Sequence, residues 1–152
     1  MLHLLYWCES FIMKKTENQL NNRSRVGMVE KKRICIVDDE PDIILLCRLV
    51  LEDAGFEVHT FTDSLLALTN FKPDFYDLVI LDIKMPNMDG FELCKKINEI
   101  DNKTKVCFLT ASEMYYETFR KKDHCKTDKN LFLRKPIEND ELVKKINKIL
   151  EV

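Results

Sequence analysis

Five polar side chains fall where short apolar runs end. Asp38 and Asp39 follow RICIV, Asp82 closes DLVILD, Thr110 closes KVCFLT and Lys135 closes LFLRK. Taken singly, each has an ordinary explanation: an aspartate there shapes a turn or caps a helix, a threonine bonds nearby backbone, and a lysine before proline is solvated. Taken together they are not explained that way, because the interiors of the same runs are nearly all apolar. Three carboxylates gathered in a low dielectric repel one another, so a site of this composition requires a cation. Ligands that are all oxygen, with some retained water, suit Mg²⁺.

For these residues to meet, the runs must lie side by side and point the same way. From residue 33 onward, apolar runs alternate with segments of helical period, the pattern of βα units around a parallel sheet. Five strands and five helices are predicted. RICIVD (33–38) is apolar on both faces, as a central parallel strand must be. Pro41 opens a first helix with Ile43, Leu46, Cys47, Val50 and Ala54 inward, and Gly55 ends it. EVHTF (57–61) is the second strand. SLLALTNF (64–71) is a short helix with Leu65, Leu68 and Phe71 inward, and Pro73 breaks the chain before the third strand, DLVILD (77–82). Gly90 permits the turn that follows, and Phe91, Cys94, Ile97 and Ile100 form the stripe of a third helix. KVCFLT (105–110) and LFLRK (131–135) are strands four and five. Met114, Tyr115, Tyr116 and Phe119 suggest a fourth helix between them, and Leu142, Val143, Ile146, Ile149 and Leu150 mark the fifth. In such sheets ligands gather outside the carboxyl ends of the strands, beside the reversal in strand order. The five polar residues fall at that edge.

Four motifs in order, VDDE at 37–40, LDIKMPNMDG at 81–90, LTA at 109–111 and KP at 135–136, resemble the receiver domains of two-component response regulators. The resemblance covers residues 33–151. It implies a doubly wound α/β fold of the flavodoxin-like type, with a five-stranded parallel sheet of order 2-1-3-4-5 and helices on both faces. It implies that Asp82 is the phosphoacceptor, its carboxylate attacking the phosphorus of a phosphohistidine to form an acyl phosphate. Asp39 and Asp82 would ligate Mg²⁺ directly, Asp38 mostly through a water, and the backbone carbonyl of Lys84 would complete the protein ligands. Lys135 would pair with one phosphoryl oxygen, Thr110 would donate to another, and small Ala111 would leave room for donor or water. Lys84 and Ser112 occupy positions that influence phosphoryl lifetime.

The same resemblance makes Thr110 and Phe132 the switch. Thr110 would move toward the phosphoryl group and Phe132 would turn inward, remodelling the face of the fourth helix, fifth strand and fifth helix. A permanently buried strand aromatic is the alternative for Phe132. The Lys135–Pro136 bond is expected to be cis. The implied partners are a sensor histidine kinase or histidine phosphotransfer protein and a downstream effector protein, with phosphorylation-dependent homodimerisation open. Such a module is not an enzyme toward other molecules; it catalyses only its own phosphorylation and dephosphorylation. Two further readings fit fewer residues. A phosphatase-like enzyme with Asp82 as nucleophile usually carries a second acid two residues on, where Lys84 stands. An interaction module that never uses phosphate leaves Asp38, Asp39, Asp82, Thr110 and Lys135 unexplained.

The segment SEMYYETFRKKDHCKTDKN (112–130) departs from the family, which commonly ends this helix in Gly-Ala before an Asp-Tyr pair. Its aromatic residues either pack on the sheet or form a docking surface. The chain's 152 residues suit one domain. With 24 Lys and Arg against 26 Asp and Glu, net charge −2, there is no basic excess for nucleic acid. Cys8, Cys35, Cys47, Cys94, Cys107 and Cys125 form no C-x-x-C pair and read as reduced thiols, buried where they sit in apolar runs. His3, His59 and His124 lack zinc-finger spacing. No glycine-rich nucleotide motif occurs.

MLHLLYWCESFIM (1–13) falls short of the ~20 residues that span a bilayer and lacks the marks of a secretory signal. Cytoplasmic residence is therefore expected. Residues 14–27 are polar and read as a linker or arm. Residues 1–30 are expected to be an N-terminal extension, with Met28 a candidate start, and 31–152 the domain. No output domain is expected after the last helix.

Overall fold

The structure, a computed structural model, describes residues 30–111 and 131–152. The expected N-terminal extension, the fourth helix with its charged loop, and Ser112 lie outside these residues.

Five strands form one parallel sheet: β1 (Arg33–Val37), β2 (Glu57–Phe61), β3 (Leu78–Asp82), β4 (Lys105–Thr110) and β5 (Phe132–Arg134). Their order is β2-β1-β3-β4-β5, as expected. The chain starts in the middle, steps outward to β2, then crosses back to β3, so the reversal lies between β1 and β3. The register aligns Val37 with Leu81, Leu81 with Phe108, and Thr110 with Arg134, which brings the carboxyl ends of β1, β3, β4 and β5 to one edge. Val37, Leu78, Val79, Leu81, Cys107 and Phe108 are wholly buried, which is why these strands read as continuous apolar runs rather than alternating ones.

The described helices are α1 (Pro41–Asp53), α2 (Ser64–Asn70), α3 (Gly90–Ile100) and α4 (Asn139–Leu150), the last being the predicted fifth helix. Local chemistry sets their ends. Pro41 opens α1, and Gly55 ends the following turn at φ +97°, a backbone conformation open to glycine. Asp63 and Asp89 cap α2 and α3 by accepting hydrogen bonds from Leu66 N (2.9 Å) and Glu92 N (2.8 Å), each worth about 1 kcal/mol.

Three helix faces differ from the sequence expectation. α1 buries Ile44, Cys47, Val50 and Leu51, while Ile43 and Leu46 are half-buried and Ala54 is exposed. In IILLCRLVL (43–51) only Arg48 is not apolar, so spacing does not define the phase; packing on β1, β2 and α4 does. In α2 the buried residues are Ser64 and Ala67, and Leu65 is exposed beside Leu66. Leu68 and Phe71 pack against the core as expected. In α3, Leu93 is buried and Ile100, the last residue of the helix, is exposed, whereas Ile97 one turn earlier is buried.

At the amino ends of β3 and β4, Asp101 ties three segments together. Its carboxylate accepts hydrogen bonds from Asp74 N (2.8 Å), Lys103 N (2.9 Å) and Thr104 Oγ1 (2.8 Å), and it holds Asp74 at a left-handed φ of 55°. Burial pushes the Asp101 carboxyl up, but these hydrogen bonds outweigh it and hold the group below its ordinary range. Asp101→Ala leaves the N–H groups of Asp74 and Lys103 without their acceptor, while the Thr104 hydroxyl keeps Tyr76 O at 3.2 Å, and is expected to lower the unfolding free energy by about 2 kcal/mol at neutral pH. A depressed pKa contributes stability above the unfolded value, lost as pH falls through the folded one. Urea titrations of wild type and variant therefore converge in acid; a constant gap across pH would assign the effect to packing.

Candidate functional site

Each site residue is delivered by a strand end. β1 stops at Val37, which puts Asp38 and Asp39 just beyond the sheet. Asp38 is buried, and its Oδ1 accepts a hydrogen bond from Glu40 N at 2.9 Å, holding the turn into α1. Asp82 is the last residue of β3 and is also buried. The loop after it doubles back: Gly90 N donates to Ile83 O at 2.8 Å, and Met85 and Met88 turn their side chains into the core. Gly90 is not in the left-handed region, so its role is not the backbone freedom expected of a turn residue. It is needed for closeness, because a Cβ there would collide with the backbone oxygen of Asp82 and lie 3.0 Å from Ile83 Cα. Thr110 is buried at the end of β4, and its carbonyl accepts from Lys135 N at 2.8 Å. The Lys135–Pro136 bond is cis, as expected.

The Lys135 ammonium meets three acids. Its Nζ lies 2.7 Å from Asp38 Oδ2, 3.1 Å from Glu40 Oε1 and 3.4 Å from Asp82 Oδ1. The Glu40 contact is a directed hydrogen bond. Asp38 Oδ2 is buried and lies closest to the ammonium, an ion pair at hydrogen-bonding distance. Asp38, Asp39 and Asp82 each present an oxygen within 4.8 Å of the others, and Asp39 is exposed, opening the group to solvent.

The electrostatics follow from crowding. Burial first, and then the Asp38 charge, push the Asp82 carboxyl up to about 6 against the pull of Lys135. Burial also raises Asp38, partly offset by Lys135 and by Glu40 N–H. Burial alone would pull the Lys135 ammonium down, but Asp38, Glu40 and Asp82 outweigh it and hold it above its ordinary value. Three carboxylates thus share one ammonium, and Asp39 adds a further acid within 4.8 Å of Asp38 and Asp82. A hard divalent cation bound by oxygens fits this donor set, and the residues therefore suit Mg²⁺. The Asp82 carboxylate is poorly solvated and faces the Lys135 ammonium at 3.4 Å, the arrangement in which a carboxylate oxygen can act as a nucleophile beside a positive charge.

A family model for the response regulator receiver domain matches residues 34–147. The chain belongs to the receiver domain family. This receiver domain is similar to the sensor protein EvgS of Escherichia coli K12, 35% identical over 127 residues, which are 84% of this chain and 10% of that protein. It is also similar to the alkaline phosphatase synthesis transcriptional regulatory protein PhoP of Bacillus subtilis, 31% identical over 119 residues, 78% of this chain and 48% of that one. The receiver chain therefore spans between about a tenth and about a half of these relatives. Among solved structures it resembles a CheY-like receiver domain protein from Methanospirillum hungatei, with TM-score 0.67 and 28% identity over 80% of this chain and 95% of that one. It also resembles the response regulator TrrA of Thermotoga maritima in complex with Mg²⁺ and beryllofluoride, with TM-score 0.65 and 33% identity over 78% and 98%.

The remaining predicted residues of the receiver domain lie as follows. Phe132 is half-buried and stacks on Phe108, with ring centres 5.1 Å apart and planes 28° apart. The Lys84 side chain and Ala111 are exposed. Cys35, Cys47, Cys94 and Cys107 are buried free thiols, and burial pushes Cys35 up to about 12 and Cys47 up to about 11, so they behave as small hydrophobes. His59 sits away from the acids, within hydrogen-bonding distance of Tyr76 Oη (3.1 Å) and Glu57 Oε1 (3.0 Å). No described helix is long and apolar enough to cross a membrane. Sequence reasoning missed Glu40 as a site residue. It stands inside VDDE, but an exposed acid ahead of a helix reads as a helix start, and nothing local signals a bond to a lysine 95 residues away.

Proposed function

We propose that this receiver domain accepts a phosphoryl group on Asp82 from the phosphohistidine of a sensor histidine kinase or a histidine phosphotransfer protein. The observation that carries the reading is the meeting of the Asp82 carboxylate and the Lys135 ammonium beside Asp38 and Asp39 at one sheet edge. An Asp82 oxygen attacks phosphorus and forms the O–P bond. The P–N bond to the donor breaks, and its electron pair returns to the imidazole nitrogen. Asp38, Asp39, Asp82 and the Lys84 backbone carbonyl would hold Mg²⁺, which supplies charge neutralisation when bound. Lys135 pairs with a phosphoryl oxygen and Thr110 donates to another. Such a transfer depends on positioning and charge rather than on a separate base. The domain thus acts on its own carboxylate rather than turning over an external substrate, and its place is the cytoplasm.

Movement of Thr110 toward the phosphoryl group, with Phe132 following, would change the face around β5 and α4 that an effector protein or a second copy reads. Intact mass after incubation with acetyl phosphate and Mg²⁺ tests the first step. One hydroxylamine-labile phosphoryl adduct is expected, absent with EDTA, with the modified peptide containing Asp82. An adduct insensitive to EDTA, or on another residue, would refute it. Lys135→Ala is expected to keep some adduct but lose most of the phosphorylation-dependent NMR shifts at Thr110 and Phe132. Unchanged shifts would remove Lys135 from the switch.

A further inference from the structure

Glu40 differs from the three aspartates in what its side chain does. It occupies the N-cap of α1 yet makes no capping hydrogen bond. Its side chain instead donates no structure to its own helix and accepts the directed hydrogen bond of Lys135, the residue after β5, with β3 and β4 between them in the sheet. An ammonium has three hydrogens, and Asp38, Glu40 and Asp82 lie around it at 2.7, 3.1 and 3.4 Å. A phosphoryl group on Asp82 brings new oxygens that also need this ammonium. Glu40 must then either leave Lys135 or stay within a few ångströms of a doubly negative group. Both alternatives raise the free energy of the loaded site relative to the empty one.

We propose that Glu40 is a positioning residue that occupies the Lys135 ammonium in the empty site in place of a phosphoryl oxygen. It sets how tightly the site takes a phosphoryl group, and it unties the β1–α1 turn from Lys135 when the group arrives. The inference rests on the reading of Asp82 as acceptor and Lys135 as its phosphoryl partner.

The test uses the full chain and beryllofluoride with Mg²⁺ as the phosphoryl mimic, titrated by NMR. Three proteins are compared: wild type, Glu40→Gln, and Asp42→Asn, which removes the same charge from an exposed site two residues along α1. Glu40→Gln is expected to bind beryllofluoride on the order of tenfold more tightly than wild type, and Asp42→Asn to stay within about twofold. Affinity for Mg²⁺ alone should move the other way, slightly weaker in both variants, because each loses a negative charge near the cation. Equal beryllofluoride affinities for the two variants would overturn the tether and leave Glu40 a surface acid. Absence of any beryllofluoride binding by wild type would instead overturn the acceptor-site reading, and the tether with it.

Discussion

Asp82→Asn protein is expected to take up no phosphoryl group from acetyl phosphate and, freed of metal at about pH 8, to be more stable than wild type by about 3 kcal/mol. The two effects have one cause. The carboxylate proposed to accept the phosphoryl group is pushed, by burial and by the Asp38 charge, to a pKa of about 6 against an ordinary 3.8. A folded state that binds its proton more tightly than the unfolded state loses stability as pH rises from the unfolded pKa through the folded one. Wild type therefore weakens between about pH 4 and pH 7, whereas asparagine carries no such charge. The stability gap should open across that window and close below it, and Mg²⁺ should narrow it at high pH by stabilising the wild-type carboxylates. Urea titrations at several pH values, with EDTA and with Mg²⁺, measure this. A variant less stable than wild type at high pH would show that Asp82 contributes more through its Lys135 pair than crowding costs. Retained acetyl phosphate labelling would move the acceptor elsewhere.

Gly90→Ala is expected to lower the unfolding free energy by about 2 kcal/mol and to slow phosphoryl uptake. The added methyl group meets backbone, Asp82 O and the Ile83 Cα, rather than a side chain that can rotate away. Alanine is the better helix former by about 1 kcal/mol, which offsets part of the cost at the start of α3. The collision is with Asp82, the proposed acceptor, so relief requires the end of β3 or the loop over it to shift. Stability and uptake should fall together, measured by urea unfolding and by the time course of the mass adduct. A stable variant with slowed uptake would mean that the strand end yields; a variant unchanged in both would mean that the loop moves freely.

The strands, their boundaries to within a residue or two, and five of the site residues were legible in the sequence. Polar groups interrupt apolar runs sharply at Asp38, Asp82, Thr110 and Lys135, and burial of apolar area is a local, non-directional preference that such runs display openly. The motif order from VDDE to KP added the strand order, which the sheet bears out, and the roles proposed above for those residues. The phase of α1 was not legible, since a segment apolar at eight of the nine positions 43–51 presents no unique face. The exposure of Leu65 and Ile100 was likewise decided by where α2 and α3 meet the sheet. Only the tertiary structure revealed why residue 90 must be glycine, that Asp101 gathers Asp74, Lys103 and Thr104, and that Glu40 reaches Lys135. Each of these depends on which backbone atoms or strand ends the topology brings within 3 or 4 Å. Such pairings are directional and short-ranged, and a sequence records the groups that make them without recording that they meet.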